Sequence, residues 1–212
     1  MLQFQTIEPT TLGLLEKLCL MQELSNFALI WWTNLSLRYW HRKSIDIDLF
    51  TSKKFDSMLI ASEIKKKFPD SIITSLSENM WFMIVENIKL DLVYVPYENI
   101  SPIETFGNIR MISEQDTIAM KLNAVARRWL KKDFWDVAYI LDKYSVFDIL
   151  SFYQKKFDIQ EVWYLIRALV YFEDAEKDTT NPISLKNISR EEIKNKIRHK
   201  VKDFIEADLK KL

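Results

Sequence analysis

The strand patterns of this chain stop at about residue 112, and that limits what the chain can fold into. Before it, short alternating or continuous apolar runs are mixed with helical stretches; from Ser113 onward apolar residues recur at helical spacing almost to the end. Alternation is the pattern of a strand with one buried face, and a 3.6-residue repeat is that of an amphipathic helix. Strand patterns followed by helix patterns predict an α+β protein. The expected lobes are an α/β lobe over residues 1–112, with a mixed sheet and flanking helices, and an all-helical lobe over residues 113–212.

Within the first lobe, a helix is expected after Thr10, where Leu14, Leu15, Leu18 and Met21 share a face. Residues 27–30 read as a short buried strand and residues 33–40 as a short helix or turn. Residues 44–50, SIDIDLF, alternate strictly, with Ile45, Ile47 and Leu49 expected against the core and Asp46 and Asp48 on the other face. A helix over 55–68 ends at Pro69. Strands follow at 71–76, 81–86 and 88–95, with Asn87 in a tight hairpin turn. The second lobe opens a helix at Ser113, another at Lys132, and a third at Ser145, where Asp148 completes a capping pair. Residues 160–172 and 189–212 complete the set.

Composition removes several function classes. Lys+Arg and Asp+Glu are both 30 in 212 residues, so the chain is not a basic coat for nucleic acid. Hydrophobic residues at 48% and charged residues at 28% describe a folded domain rather than a disordered one. Cys19 alone excludes an internal disulfide and a multi-cysteine zinc site. The longest apolar run, residues 27–32, is far short of a membrane span. MLQFQTIEPT lacks the charged-then-apolar signature of an export signal, so none is expected. A cytoplasmic location with no membrane partner is expected.

Three clusters carry chemistry. Asp46 and Asp48 stand two apart on an expected strand, so their carboxylates emerge on one face within reach of a shared hard cation. Asp91 lies in the apolar run KLDLVYV, where an unpaired carboxylate is costly. Beside the first pair it becomes the third ligand of a magnesium (Mg2+) site; on its own it is a salt-bridged or edge aspartate. The third cluster lies in AMKLNAVARRWLKKDFWDVAYIL. Lys121 and Arg128 share one helical face and Asp133 and Asp136 another, with Lys131 and Lys132 just ahead. Cations of this kind can hold triphosphate oxygens, and a carboxylate near an acceptor hydroxyl can take its proton.

Together these pieces resemble the AbiEii/AbiGii-type nucleotidyltransferase toxins of the DNA polymerase β-like nucleotidyltransferase superfamily. The first motif of that family, G-G-T-x-L-x-L-R-x-G-H-R-x-S-x-D-x-D-L-F, is matched from Trp31 to Phe50 at nearly every non-glycine position. Its later pattern, K-L-x-A then R-G-x-x-K-D-F-x-D, is matched by Lys121, Leu122, Ala124, Arg128, Lys132, Asp133, Phe134 and Asp136. The resemblance implies a nucleotidyltransferase-like sheet lobe. It implies magnesium-dependent transfer of a nucleoside monophosphate from an NTP, an RNA or tRNA acceptor, and a cognate antitoxin.

By the same match Asp46, Asp48 and Asp91 bind the metal, Lys121 holds phosphate, and Asp133 acts as base or positioning group with Asp136 beside it. Thr33, Ser44, Arg128, Lys132 and Asp136 fall among the nucleotide-binding positions. Arg38, His41 and Arg42 are either phosphate contacts or structural, as a surface pair and a strand-entry histidine.

The departures are uniform. Four family glycines are tryptophans here, at 31, 32, 40 and 129, in a chain with 2 Gly and 7 Trp; average usage would give roughly 15 Gly. Glycines at such places let backbone N–H groups approach phosphate. Two explanations stand. Either the gene's UGA codons mean glycine and were translated as tryptophan, or the chain is an inactive relative that serves as a binding or regulatory protein. Lys outnumbers Arg 22 to 8, as in an AT-rich genome. A purely structural helical adaptor leaves the strand-borne acids unexplained.

Overall fold

A computed structural model describes residues 2–77, 80–128 and 130–209. The chain forms two compact units, one of Met1–Trp40 with Ser44–Ser113 and one of His41–Lys43 with Glu114–Leu212.

The first unit is built on a seven-stranded mixed sheet with strand order β3-β4-β5-β2-β1-β7-β6. Its strands are β1 (Ala28–Leu29), β2 (Ile47–Thr51), β3 (Ile72–Leu76), β4 (Met80–Val85), β5 (Ile88–Tyr94), β6 (Glu104–Phe106) and β7 (Ile109–Met111). The β2–β5 and β1–β7 pairs are parallel and the others antiparallel. Three helices flank the sheet: α1 (Pro9–Cys19), α2 (Trp31–Tyr39) and α3 (Ser57–Lys67).

Local chemistry accounts for these boundaries. Pro9 occupies the first turn of α1, where its missing N–H costs nothing. Leu14, Leu15 and Leu18 of α1 are fully buried with Leu49, Trp81, Leu90 and Leu92 of the sheet. Asp56 caps α3 by accepting from the Leu59 N–H, so this helix begins two residues later than the apolar pattern alone suggests. Glu86 and Asn87 both have left-handed backbone and Val85 pairs with Ile88, so the expected hairpin turn closes in two residues.

Two readings of the strand pattern need correction. The strand expected over 44–50 runs from Ile47 to Thr51, and Ile45 is 62% exposed rather than packed in the core. β2 is the middle strand of the sheet and all five of its residues are buried. A central strand covered on both faces does not obey an inside–outside alternation. The β6–β7 hairpin, turning at left-handed Gly107, was not anticipated. Its strands are three residues each, too short for a periodic signal. Arg110 anchors it by donating to the carbonyl oxygens of Cys19, Leu24 and Phe27 at 2.6, 2.8 and 2.9 Å.

The second unit is helical: α4 (Glu114–Arg128), α5 (Lys131–Lys143), α6 (Val146–Phe157), α7 (Trp163–Val170), α8 (Glu173–Glu176) and α9 (Arg190–Leu209). Helix α4 packs on α5, α6 and α7, and α9 on α5, α6 and α7. Its core holds Ile118, Leu122 and Val125 of α4, Val137, Ile140 and Leu141 of α5, and Ile193, Ile197 and Val201 of α9. Ser145 and Asp148 form the expected capping box at the start of α6. The strand of chain from His41 to Lys43 is stitched on by backbone bonds from Lys43 N–H to Ile183 and from Leu185 N–H to His41. Among the described residues no helix is long and apolar enough to cross a membrane.

Candidate active site

In the sheet unit, β2 and β5 run parallel with Asp48 directly opposite Asp91. Residues opposed in a ladder project to the same face, so two acids 43 positions apart in sequence become neighbours. They are 2% and 5% exposed. Lys89, two residues before Asp91 and therefore on its face, brings Nζ to 2.8 Å from Asp91 Oδ2. Partial burial works against the Lys89 ammonium, but Asp91, joined by the fields of Asp48 and Asp46, outweighs it and holds the lysine pKa above its ordinary value. Three carboxylates thus act on one cation.

Asp46 is half-buried and lies just ahead of β2 rather than within it. Among the described residues no three His, Cys, Asp or Glu side chains are gathered into a ready-made metal cage. The donor set is that of a hard, oxygen-loving ion held on one or two carboxylates, with its other ligands from water and phosphate, and magnesium fits it.

Helix α2 is tied to this face. The Ile30 N–H donates to the Asp48 carbonyl at 3.0 Å. Buried Thr33, on the first turn, donates to the Asp46 carbonyl at 2.5 Å and shares a 2.8 Å hydrogen bond with Ser44. Thr33 and Ser44 therefore shape the approach to β2. Arg38 donates to Asn34 Oδ1 at 2.7 Å, Glu104 at 3.1 Å and the Ile112 carbonyl at 3.3 Å. Asn34 in turn donates to the carbonyls of Leu29 and Ile112. This brace fixes α2 to β1 and to the residue that follows β7, and it engages the Arg38 guanidinium. Neither Lys89 nor Asn34 was singled out from sequence; the one available signal was Lys89 sharing a strand face with Asp91.

The helical unit gathers the other charged positions into a buried network. Asp136 accepts from Arg42 Nε at 2.8 Å, from Arg42 Nη2 at 3.1 Å and from His41 at 2.5 Å, and lies 2.7 Å from Lys121 Nζ. Asp133 lies 3.3 Å from Lys121 Nζ and accepts from Arg128 Nε at 3.2 Å. Lys121, Asp133, Asp136 and His41 are all 0% exposed and Arg42 is 5% exposed. The helical-face pairing of Lys121 with Arg128, and of Asp133 with Asp136, thus brings these four side chains together. Arg42 and His41 are interior partners of Asp136, and Arg42 is not at the surface. Arg128 is exposed and Lys132 half-buried. Trp129 lies outside the described residues.

Electrostatics in this network follow from burial and pairing. Burial alone would raise the Asp136 carboxyl, yet Arg42 and Lys121, aided by His41, hold it well below the usual range. Burial pushes the His41 imidazole below its ordinary value against the pull of Asp136. It pulls the Lys121 ammonium down likewise, against Asp136 and Asp133. A histidine whose pKa is lowered on folding takes up a proton more readily when unfolded. Its contribution to stability is therefore complete above the ordinary value of 6.5 and declines as pH falls below it. Asp136 adds a second loss, below its ordinary 3.8. The melting temperature is accordingly expected to drop between about pH 7.5 and about pH 5, and His41→Asn to flatten that drop. Thermal scans across this range check it; a flat profile for the unaltered chain contradicts it.

No family model matches the chain. A curated relative, the uncharacterised protein aq_aa25 of Aquifex aeolicus (strain VF5), is 30% identical over 199 residues, covering 91% of this chain and 94% of its own. A Helicobacter pylori protein provisionally assigned as a nucleotidyltransferase shares the fold at TM-score 0.57 and 20% identity, covering 96% of this chain and 98% of its own. JHP933 from Helicobacter pylori does so at 0.55 and 19%, covering 97% and 95%. MenT4, the nucleotidyltransferase toxin Rv2826c of Mycobacterium tuberculosis H37Rv, does so at 0.50 and 14%, covering 89% and 82%. The likeness to these three is one of fold: a mixed sheet with a helical C-terminal part.

Proposed function

This chain belongs to one family with the Aquifex aeolicus protein, and we propose that it is a magnesium-dependent nucleotidyltransferase moving a nucleoside monophosphate from an NTP to an RNA acceptor. The observation that carries this reading is the register of Asp48 against Asp91 in the middle of a nucleotidyltransferase-like sheet. Two acids buried side by side repel each other; Lys89 supplies one positive charge to them, and a bound Mg2+ would supply two more.

Asp48 and Asp91, with Asp46, would hold Mg2+, which when bound neutralises the triphosphate and acidifies an acceptor hydroxyl. Lys89 pairs with Asp91 and orients it. Thr33 and Ser44 hold the Asp46 backbone in place. In the transfer, the acceptor oxygen bonds to the α-phosphorus, the bridge to the β-phosphate breaks, pyrophosphate leaves, and the hydroxyl proton passes to the carboxylate cluster. Arg128 and Lys132, each with some exposed surface, are assigned to phosphate on the motif resemblance. Lys121, Asp133 and Asp136 are committed to one another and act as positioning residues. A tRNA acceptor and a partner antitoxin extend the same proposal, supported by the motif resemblance and by the fold shared with a toxin nucleotidyltransferase.

A second reading, a catalytically silent binding or regulatory protein, is favoured by one observation: a tryptophan, Trp31, begins α2 next to the segment bonded to Asp48. Labelled NTPs, total RNA and Mg2+ separate the two. Label is expected in RNA with the chain carrying Trp31→Gly and Trp32→Gly, and not with the same chain carrying Asp48→Asn. No label with any of the four NTPs would transfer the proposal to the binding reading.

A further inference from the structure

Four of the tryptophans, at 31, 40, 81 and 135, divide by backbone and burial. Trp81 in β4 and Trp135 in α5 have regular backbone and are 0% and 7% exposed, which is how an indole is used in packing. Trp31 and Trp40 open and close α2, and both stand in the left-handed region, at φ +55° and +49°. There the Cβ of an L-residue crowds the following carbonyl. Glycine escapes this, Asn and Asp tolerate it, and a bulky side chain is an outlier.

The fold imposes that conformation at both places. β1 ends at Leu29 and α2 begins at Trp31, so one residue separates strand from helix. Ile30 is extended and pinned by its bond to the Asp48 carbonyl, and the reversal into the helix falls on residue 31. Trp40 follows the last turn of α2 and donates its N–H to the Ser36 carbonyl at 3.0 Å. A left-handed residue that stops a helix this way is most often glycine. Trp40 is 42% exposed and recovers little by packing.

Backbone demand and composition agree: the chain has 2 Gly and 7 Trp. We propose that residues 31 and 40 are glycine in the protein made by its source, each encoded by UGA read there as glycine and written as tryptophan under another code. The strand-to-helix turn beside Asp48 is then an ordinary glycine turn.

Two measurements test this, and neither involves NTP, metal or catalysis, so it can fail separately from the nucleotidyl-transfer reading. The gene is sequenced at codons 31 and 40: UGA at both supports the proposal, and UGG at either overturns it. Thermal unfolding then compares the tryptophan chain with Trp31→Gly/Trp40→Gly. Relief of two left-handed tryptophans is expected to raise the melting temperature by about 4–8 °C, while Trp81→Gly, in the core, lowers it. A double variant melting at or below the tryptophan chain overturns the proposal.

Discussion

Asp48→Asn is expected to reduce nucleotidyl transfer by about 10³-fold, the equivalent of about 4 kcal/mol of transition-state stabilisation, without weakening the fold. The two effects separate because the carboxylate is costly to the apo protein. Asp48 faces Asp91 across a parallel ladder, both buried. Opposed like charges destabilise a sheet by roughly 0.2–1 kcal/mol. Removing one charge keeps the shape and a hydrogen-bonding oxygen, so the melting temperature should hold or rise by a few degrees, about 2–4 °C per kcal/mol in a chain of this size. Asp91→Asn should behave alike in activity. It also releases Lys89, whose ammonium lies 2.8 Å from the Asp91 carboxylate, so its thermal gain is smaller. Labelled-NTP incorporation and thermal unfolding on the same preparations check both. An Asp48→Asn protein with undiminished transfer would remove the carboxylate pair from the mechanism.

The opposite combination is expected at Asp136. Asp136→Asn should destabilise the protein by about 3–5 kcal/mol, a fall in melting temperature of roughly 6–20 °C. In the intact network Asp136 and Asp133 face Arg42, Lys121 and Arg128, with His41 completing the shell of Asp136. Loss of the Asp136 charge leaves Arg42 and Lys121 buried with Asp133 as the remaining carboxylate of the group. Uncompensated interior cations are far more costly than an intact pair is beneficial. Combining Asp136→Leu with Arg42→Met and His41→Phe removes charge from both sides and should recover part of the loss, because apolar replacements of similar volume pack without desolvation cost. Circular dichroism melts of the single and triple variants decide this. A single variant melting within about 2 °C of the parent would show the network to be dispensable.

Much of this architecture is local and could be read from the chain. The helical spacing of Leu14, Leu15 and Leu18, the Ser145–Asp148 cap and the Glu86–Asn87 turn each depend on residues a few positions apart, and each appears where its pattern places it. The acids at 46, 48 and 91 stood out for a similar reason: a carboxylate in an apolar run signals a cost that something must offset.

What the pattern could not contain is which strands pair and which charges meet. That Asp48 opposes Asp91 depends on β2 and β5 lying side by side, a register set by the whole sheet. That β2 is covered on both faces, so that Asp48 is buried along with Ile47 and Leu49, depends on its place in the middle of the strand order. That Arg42 is an interior counter-ion depends on a carboxylate 94 residues further along the chain. Periodicity and capping are properties of neighbours in sequence and are written in it directly. Burial and charge compensation belong to neighbours in space, and these exist only once the sheet and the helices have assembled.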